Sequence, residues 1–288
     1  MKLILRADDV GYTPVNNIGV FKAIDEGLVT SADLMLDCPG FEEAVVFLKE
    51  RPWISVGWHA HFWGRPVLPP EQVPSMVNEE GRFKWRKDRK KQEECVYEEV
   101  LAESRAQLER TCLLLGRVPD YTGAFSREGK LSVFETARLK ACDEFGIPYG
   151  FCNEANPDNI DPKYAGLDIL KTDQIKDSCY DACYDNDYRV RLSYDPLQYL
   201  KKVYPEMAKH KVAITAWHPG YLDEYILAES SLHIARIQDL EALCSSELHD
   251  WIKENKIELI NYRDAIYGTH SYQNHLREIG SDLYVPCE

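Results

Sequence analysis

The chain has no Cys-x-x-Cys pair, no apolar run of membrane-spanning length and no excess of basic residues. Each absence removes a class of function. Its nine cysteines are scattered singly, an odd number that indicates neither a disulfide framework nor a cysteine-rich zinc module. The one close pair, Cys179 and Cys183, lies among Asp and Tyr residues and lacks a second pair of ligands. Isolated thiols suit a reducing compartment, so the chain is expected in the cytoplasm. Three apolar residues between Lys2 and Arg6 are too few for a signal sequence, and no stretch approaches the ~20 apolar residues of a span. Lys and Arg number 34 against 48 Asp and Glu, a net charge of −14. Such a surface repels nucleic-acid phosphates and anionic membranes. Neither is an expected partner, and a substrate should be neutral or cationic. The Walker loop and the Gly-x-Ser-x-Gly nucleophile elbow are missing too. Where a dinucleotide fingerprint would place glycines after the first strand, this chain has Asp8 and Asp9.

What is present is ordinary globular composition, 44% hydrophobic and 28% charged over 288 residues. A chain of this length buries about three quarters of its unfolded surface. Short apolar runs alternate with amphipathic stretches. Strands are predicted at 3–5, 29–36, 54–59, 148–151, 212–217 and 257–260, with another just after Pro119. Helices are predicted from Pro14 to Gly27 with Val15, Ile18, Phe21 and Ile24 inward, and at 41–49. Others are expected from Val96 to Gly116 (Val96, Val100, Leu101, Leu108, Cys112 and Leu115 inward), and at 131–145, 196–209 and 229–254. Ile234, Ile237, Leu240, Leu248 and Trp251 should face inward on the last. Residues 64–91, rich in proline with a basic end, read as a long loop that lids or walls a pocket; residues 152–194 are irregular. A strand–helix rhythm without repeats or linkers implies parallel strands with helical crossovers. The expected fold is a single α/β barrel-like domain of seven or eight mostly parallel strands over residues 1–267, with 268–288 a peripheral tail.

In such folds reactive groups gather past the carboxyl ends of strands. Three polar groups fall there: Asp8-Asp9, His59-Ala60-His61 and His218. Adjacent strand residues point to opposite faces, so Asp8 and Asp9 share a site only if the chain is already turning; helix capping is the plainer role for them. His59 and His61, two apart, can face one side, and imidazole nitrogen with carboxylate oxygen suits a divalent cation. The plainer reading of that pair is one structural and one solvent-facing histidine, and of His218 a strand-end residue hydrogen-bonded to backbone. Tyr12, Trp58, Phe62, Trp63, Trp217 and Tyr221 flank these groups, as stacking faces for a sugar or as core.

Taken in order, Ala7-Asp8-Asp9-Val10-Gly11-Tyr12, Gly27-Leu28-Val29-Thr30-Ser31, Val56-Gly57-Trp58-His59, Gly64-Arg65-Pro66, Gly81-Arg82-Phe83, Gly116-Arg117-Val118-Pro119, Trp217-His218-Pro219-Gly220-Tyr221 and Tyr262-Arg263-Asp264 resemble the YdjC-like carbohydrate deacetylases. The resemblance spans roughly residues 1–267. It implies a barrel-like fold, a divalent metal ion (magnesium or zinc) and removal of acetyl groups from N-acetylated mono- or oligosaccharides. By that resemblance Asp9 and His59 are metal ligands, Asp8 the general base and His218 the acid that protonates the departing amine. Tyr12, Trp63, Arg65, Tyr221 and Arg263 are then the substrate-binding candidates. The family's histidine-rich segment, which donates a third ligand, is replaced by Asp120-Tyr121-Thr122-Gly123-Ala124-Phe125-Ser126. Either His61 substitutes, or Asp120 or another group does, or the metal is lost; the spacing from His59 favours His61. Two other readings stay open: a barrel enzyme doing different proton-transfer or lyase chemistry on a sugar, and a metal-free sugar-binding relative. The partners expected are a small carbohydrate and, in a homodimer, a second copy of the chain.

Overall fold

A computed structural model describes residues 1–85, 89–123, 131–151, 160–172, 175 and 181–286. Its strands are β1 (Lys2–Val10), β2 (Ser31–Leu34), β3 (Ser55–Trp58), β4 (Tyr121–Thr122), β5 (Ile169–Lys171), β6 (Val212–Trp217) and β7 (Glu258–Leu259). Every pairing is parallel, in the order β4-β3-β2-β1-β6-β5, with β7 beside the start of β1. The sheet curls into a half-barrel surrounded by helices, of which α1 (Pro14–Asp25), α2 (Phe41–Lys49), α3 (Tyr97–Leu115) and α4 (Val133–Phe145) follow the first strands.

Alternation along the strands decides what each face holds. Leu3, Leu5 and Ala7 of β1 join the main core beneath the helices, with Ala32, Leu34, Val56 and Trp58. Ile4 points the other way, into a plug with Tyr121, Phe151, Val212, Ile214, Ile260 and Tyr262, where the Tyr121 and Tyr262 rings stack at 3.7 Å. Arg6 and Asp8 continue the face of Ile4. The concave side is therefore apolar at its base and charged towards the strands' carboxyl ends.

Several expectations are corrected. On α1, Val15 and Ile18 are 37% and 57% exposed, and Asn16, Asn17, Val20, Ala23 and Ile24 are inward. A repeat of three drifts around a helix of 3.6 residues per turn. Asn17 is buried because it serves backbone: it accepts from Gly11 N and donates to the Gly40 carbonyl. On α3, Val96 is an exposed cap, Leu101 and Cys112 are half-buried, and the inward face carries Glu103, Ser104, Gln107 and Thr111. Residues 148–151 form no strand, although the Pro148 carbonyl accepts from Thr122 N beside β4. The opposite edge of the sheet is formed by β5, beside β6, from a segment expected to be irregular. The single helix expected at 229–254 is two, Ile234–Leu243 and Ser246–Glu254, the second capped by Ser245, with Ile237 37% exposed; a separate short helix, Glu224–Glu229, precedes them. Residues 268–286, expected to be peripheral, include helix Ser271–Glu278 with Tyr272, Gln273 and Leu276 buried.

The proline-rich stretch is built inward rather than over a pocket. Phe83, Trp85, Val73 and Met76 are buried in the main core, and none of the described residues of 64–91 lines the central cavity. Two carboxylates of α3 hold it: Glu103 accepts from Val67 N and Leu68 N, and Glu99 from Ser75 N. Burial pushes the Glu103 carboxyl up to about 7, while these amides and Gln107 pull the other way.

Candidate active site

One residue too many in β1 brings two adjacent carboxylates to one place. Ala7 pairs with Ala32 and Val10 with Leu34, so Asp8 and Asp9 together oppose Asp33 alone. This bulge re-aims the side chains past it. Asp9 takes up the turn in the left-handed region, at φ 59°, and Gly11 follows at φ 87°. A second turn does the same for the histidines. His61 N donates to the His59 carbonyl, and Phe62 at φ 54° swings its ring into the core, leaving His59 and His61 together at the cavity. The His61 backbone is held in turn by Trp85 Nε1, which donates to its carbonyl at 3.1 Å.

A cavity of about 240 Å³ opens where these strand ends meet, and Asp8, Asp9, His59, His61 and His218 all line it. His59 sits between two acids, with Nε2 3.1 Å from Asp9 Oδ1 and Nδ1 3.3 Å from Asp33 Oδ2. Burial disfavours its charge, but bonds to Asp33 and Asp9 overcome that and raise it to about 10. Asp9 is pulled the other way. Burial would raise it, yet Arg236, whose Nη2 donates to Oδ2 at 2.6 Å, and His59 hold it well below the usual carboxylate range. Arg6 grips Asp8 through both oxygens, at 2.5 and 2.8 Å, and lies 3.4 Å from Asp33 and 3.2 Å from the Tyr262 hydroxyl. His218 is lowered by burial, with Arg236 and His59 adding to the effect against Asp9 and Asp8. Its backbone N–H donates to Asp239, which burial pushes up to about 7.

These groups fit a divalent ion. Asp9, His59 and His61 offer ligand atoms all within 4.8 Å of one another. Two ligand atoms on a tetrahedral ion are ~3.4 Å apart for bonds of ~2.1 Å, close to the 3.1 Å between His59 Nε2 and Asp9 Oδ1. Asp33 behind Nδ1 is the carboxylate that commonly orients a ligating histidine and leaves Nε2 for the ion. Asp8, Asp33 and His59 form a second such group, but the Arg6 guanidinium, bonded to Asp8 and 3.4 Å from Asp33, opposes a cation there.

Over residues 2–254 the sequence matches the model of the YdjC-like protein family. The chain belongs to that family. A carbohydrate deacetylase of Brevibacillus brevis is 33% identical over 92% of this chain and 99% of its own. Carbohydrate deacetylase 2 of Listeria innocua is 30% identical over 92% and 98%. A crystal structure from Enterococcus faecalis V583, provisionally described as a cellobiose-phosphate cleavage protein, superposes with a TM-score of 0.67 at 27% identity. It covers 91% of this chain and 98% of its own.

The YdjC-like chain thus gathers Asp8, Asp9, His59, His61, His218 and Trp63 around one cavity, with Trp63 stacked flat on His61 at 4.1 Å. Tyr12 lies behind, fully buried, beneath the Arg236 guanidinium at 5.3 Å. Tyr221 packs against the main core and does not line the cavity. Arg65 is turned away, donating to the Glu80 carbonyl. Arg263 lies by the start of β3, with its N–H on Ser55 Oγ and its guanidinium on the Pro52 carbonyl. Asp120 is held there too: it accepts from Val56 N and Arg117. That position removes it as a third ligand. Of the segment that replaces the family's histidines, Gly123 lines the cavity and residues 124–126 lie outside those described. Sequence reading missed Arg6, Asp33, Lys171 and Arg236, all in the cavity wall. Arg6 was within reach, two residues before Asp8 on the same strand face. Arg236 and Asp239, charged and three apart on the inward side of a helix, left only a faint signal.

Proposed function

We propose that this YdjC-like chain is a metal-dependent deacetylase of an N-acetylated mono- or oligosaccharide. The observation that carries the reading is the meeting of Asp9, His59 and His61 with Asp8 and His218 in one cavity at the strand ends, in a chain whose relatives are named carbohydrate deacetylases. Asp9, His59 and His61 would hold the ion. When bound, a divalent cation supplies acidified water and a polarised amide carbonyl at neutral pH. Asp8 accepts the proton from the attacking water. Arg6 takes two of the roughly four acceptor sites of that carboxylate and leaves the others free. His218 rests neutral, so the proton it gives to the departing amine is one it receives within the same turnover. Trp63 at the rim offers apolar surface to a sugar ring. Cys95, Cys112, Cys142 and Cys244 are free thiols, which suits the cytoplasm, and no helix among the described residues is long and apolar enough to cross a membrane.

One observation favours the metal-free alternative: Arg236 and His59 already neutralise Asp9. Elemental analysis of protein purified without chelator, beside His59→Ala, decides between them. Bound metal in the wild type and its loss in the variant are expected, with acetate released from N-acetylated disaccharides by the wild type alone. Equal metal content in both proteins would sink the ligand assignment. Bound metal without acetate release would point to other sugar chemistry.

A further inference from the structure

Helix Ile234–Leu243 supplies no candidate ligand, base or acid, yet it reaches both halves of the site. Its outward side is solvated, while Leu240 and Leu243 lock it into the main core. Between these lie two charged residues three apart, Arg236 and Asp239, only 1% and 3% exposed. Arg236 Nη2 donates to Asp9 Oδ2 at 2.6 Å, on the side of β1. Its carbonyl accepts from Gly220 N at 3.2 Å, beyond β6. Asp239 accepts from His218 N at 2.7 Å and from the Tyr194 hydroxyl at 2.9 Å. One rigid helix therefore ties the bulge of β1 to the turn after β6, across the cavity.

We propose that this helix sets the geometry of the site, Arg236 as the positioning residue for Asp9 and Asp239 as the positioning residue for His218. The inference rests on the deacetylase reading and adds to it. Arg236 holds one oxygen of Asp9 and leaves the other, facing His59 Nε2, to meet an ion. Outer partners of this kind are worth 10–100-fold in metal affinity. The opposing effect is repulsion between guanidinium and cation. It is blunted because Asp9 already neutralises the arginine, so loss of orientation should win. Asp239 acts on backbone, so it should affect turnover through His218 and leave the ion alone.

Titration calorimetry with Zn²⁺ on the whole protein tests the first half. Arg236→Met should bind Zn²⁺ about 10–100-fold more weakly, and Arg236→Lys should recover part of the loss. Affinity equal to or tighter than wild type would overturn the role of Arg236. For the second half, Asp239→Ala should lower kcat with KM and Zn²⁺ affinity unchanged, and Asp239→Asn, which keeps an acceptor for His218 N–H, should restore most of it. In a His218→Ala background Asp239→Ala should cost nothing more, because residues acting through one another are not additive. An added loss would overturn the role of Asp239. Hydrogen exchange at the His218 amide reports without any activity: Asp239→Ala should speed it, and an unchanged rate counts against the anchor. A wild type that binds no Zn²⁺ and releases no acetate refutes the deacetylase reading, and the exchange result still decides the anchor. Normal wild-type function with unaffected variants refutes the positioning alone.

Discussion

Asp8→Asn keeps the size and shape of a side chain held by Arg6 and removes its capacity to take a proton. Turnover should fall about 10²–10⁴-fold, the usual loss when a placed acid or base is deleted, with metal content unchanged. His218→Ala should cost a similar factor, and less on a substrate whose leaving group needs no proton. An active enzyme in which both variants turn over near the wild-type rate would refute the proton-transfer pair. At this scale five side chains are legible because each lies at or just past the carboxyl end of a strand, where a chain of this class puts its chemistry. Their partners were not. Asp33 stands in mid-strand among small residues, and nothing in Ser31-Ala32-Asp33-Leu34 says that it backs His59. The convergence of Asp8 and Asp9 depended on the extra residue that sets them both against Asp33, and pairing register is invisible in a single sequence. Arg65 and Arg263 illustrate the converse: a residue can match a motif and still serve the fold, as their guanidinium bonds to the Glu80 and Pro52 carbonyls show.

Among the elements, β3 carries the tightest constraint. A Cβ at Gly57 would lie 2.4 Å from Asp33 Oδ1 and 2.4 Å from the Tyr121 ring. Gly57→Ala must therefore displace the acid that holds His59 or the ring that plugs the barrel. Overpacking of this kind costs about 1–3 kcal/mol. A lower Tm together with weaker metal binding is expected, whereas Gly166→Ala, with nothing within 4 Å, should change neither. Equal behaviour of the two variants would count against the constraint. The segment after β3 supplies a second test, through pH. Glu103 is raised to about 7 in the fold, above the ~4.3 of an unfolded glutamate. Between those values the folded chain holds a proton that the unfolded chain has lost, so stability falls as pH rises through the window. Glu103→Gln should flatten the fall in Tm between pH 5 and pH 8 relative to wild type, whatever it does to the absolute value. Parallel curves would show that the carboxyl stays ionised in the fold. On helix α3 the expected Val100, Leu108 and Leu115 are buried, but polar residues share their face. Periodicity seeks apolar residues, and Glu103 is turned inward because the loop it holds presents backbone N–H groups, with Gln107 donating to the same carboxylate.

For the whole molecule, the alternation of strand and helix was enough to give a parallel, barrel-like sheet, but not its limits. The family match ends at residue 254, and residues past 268 look peripheral by composition. The packing says otherwise. Asp264 accepts from the N–H groups of Ser271 and Tyr272, Gln273 donates to the Leu259 carbonyl at the end of β7, and His275 stacks on Trp53 at 3.9 Å. Tyr272, Leu276 and Leu283 are each 5% exposed or less. Side chains of that kind contribute roughly 1.5–3 kcal/mol each on burial, against a total stability of ~5–15 kcal/mol for a typical domain. Truncation after Gly268 therefore removes a large share of the margin and bares the end of β7, on the side of the barrel away from the cavity. At about 2–4 °C per kcal/mol for a chain of this order of size, Tm should drop by roughly 10 °C or more. Tyr272→Ala with Leu276→Ala in the full chain should reproduce much of that drop. A truncated chain melting within about 2 °C of wild type would make the tail the peripheral segment its sequence suggests. A large drop in Tm, with metal affinity retained below the melting range, would place the tail in the foundation of the barrel and outside its chemistry.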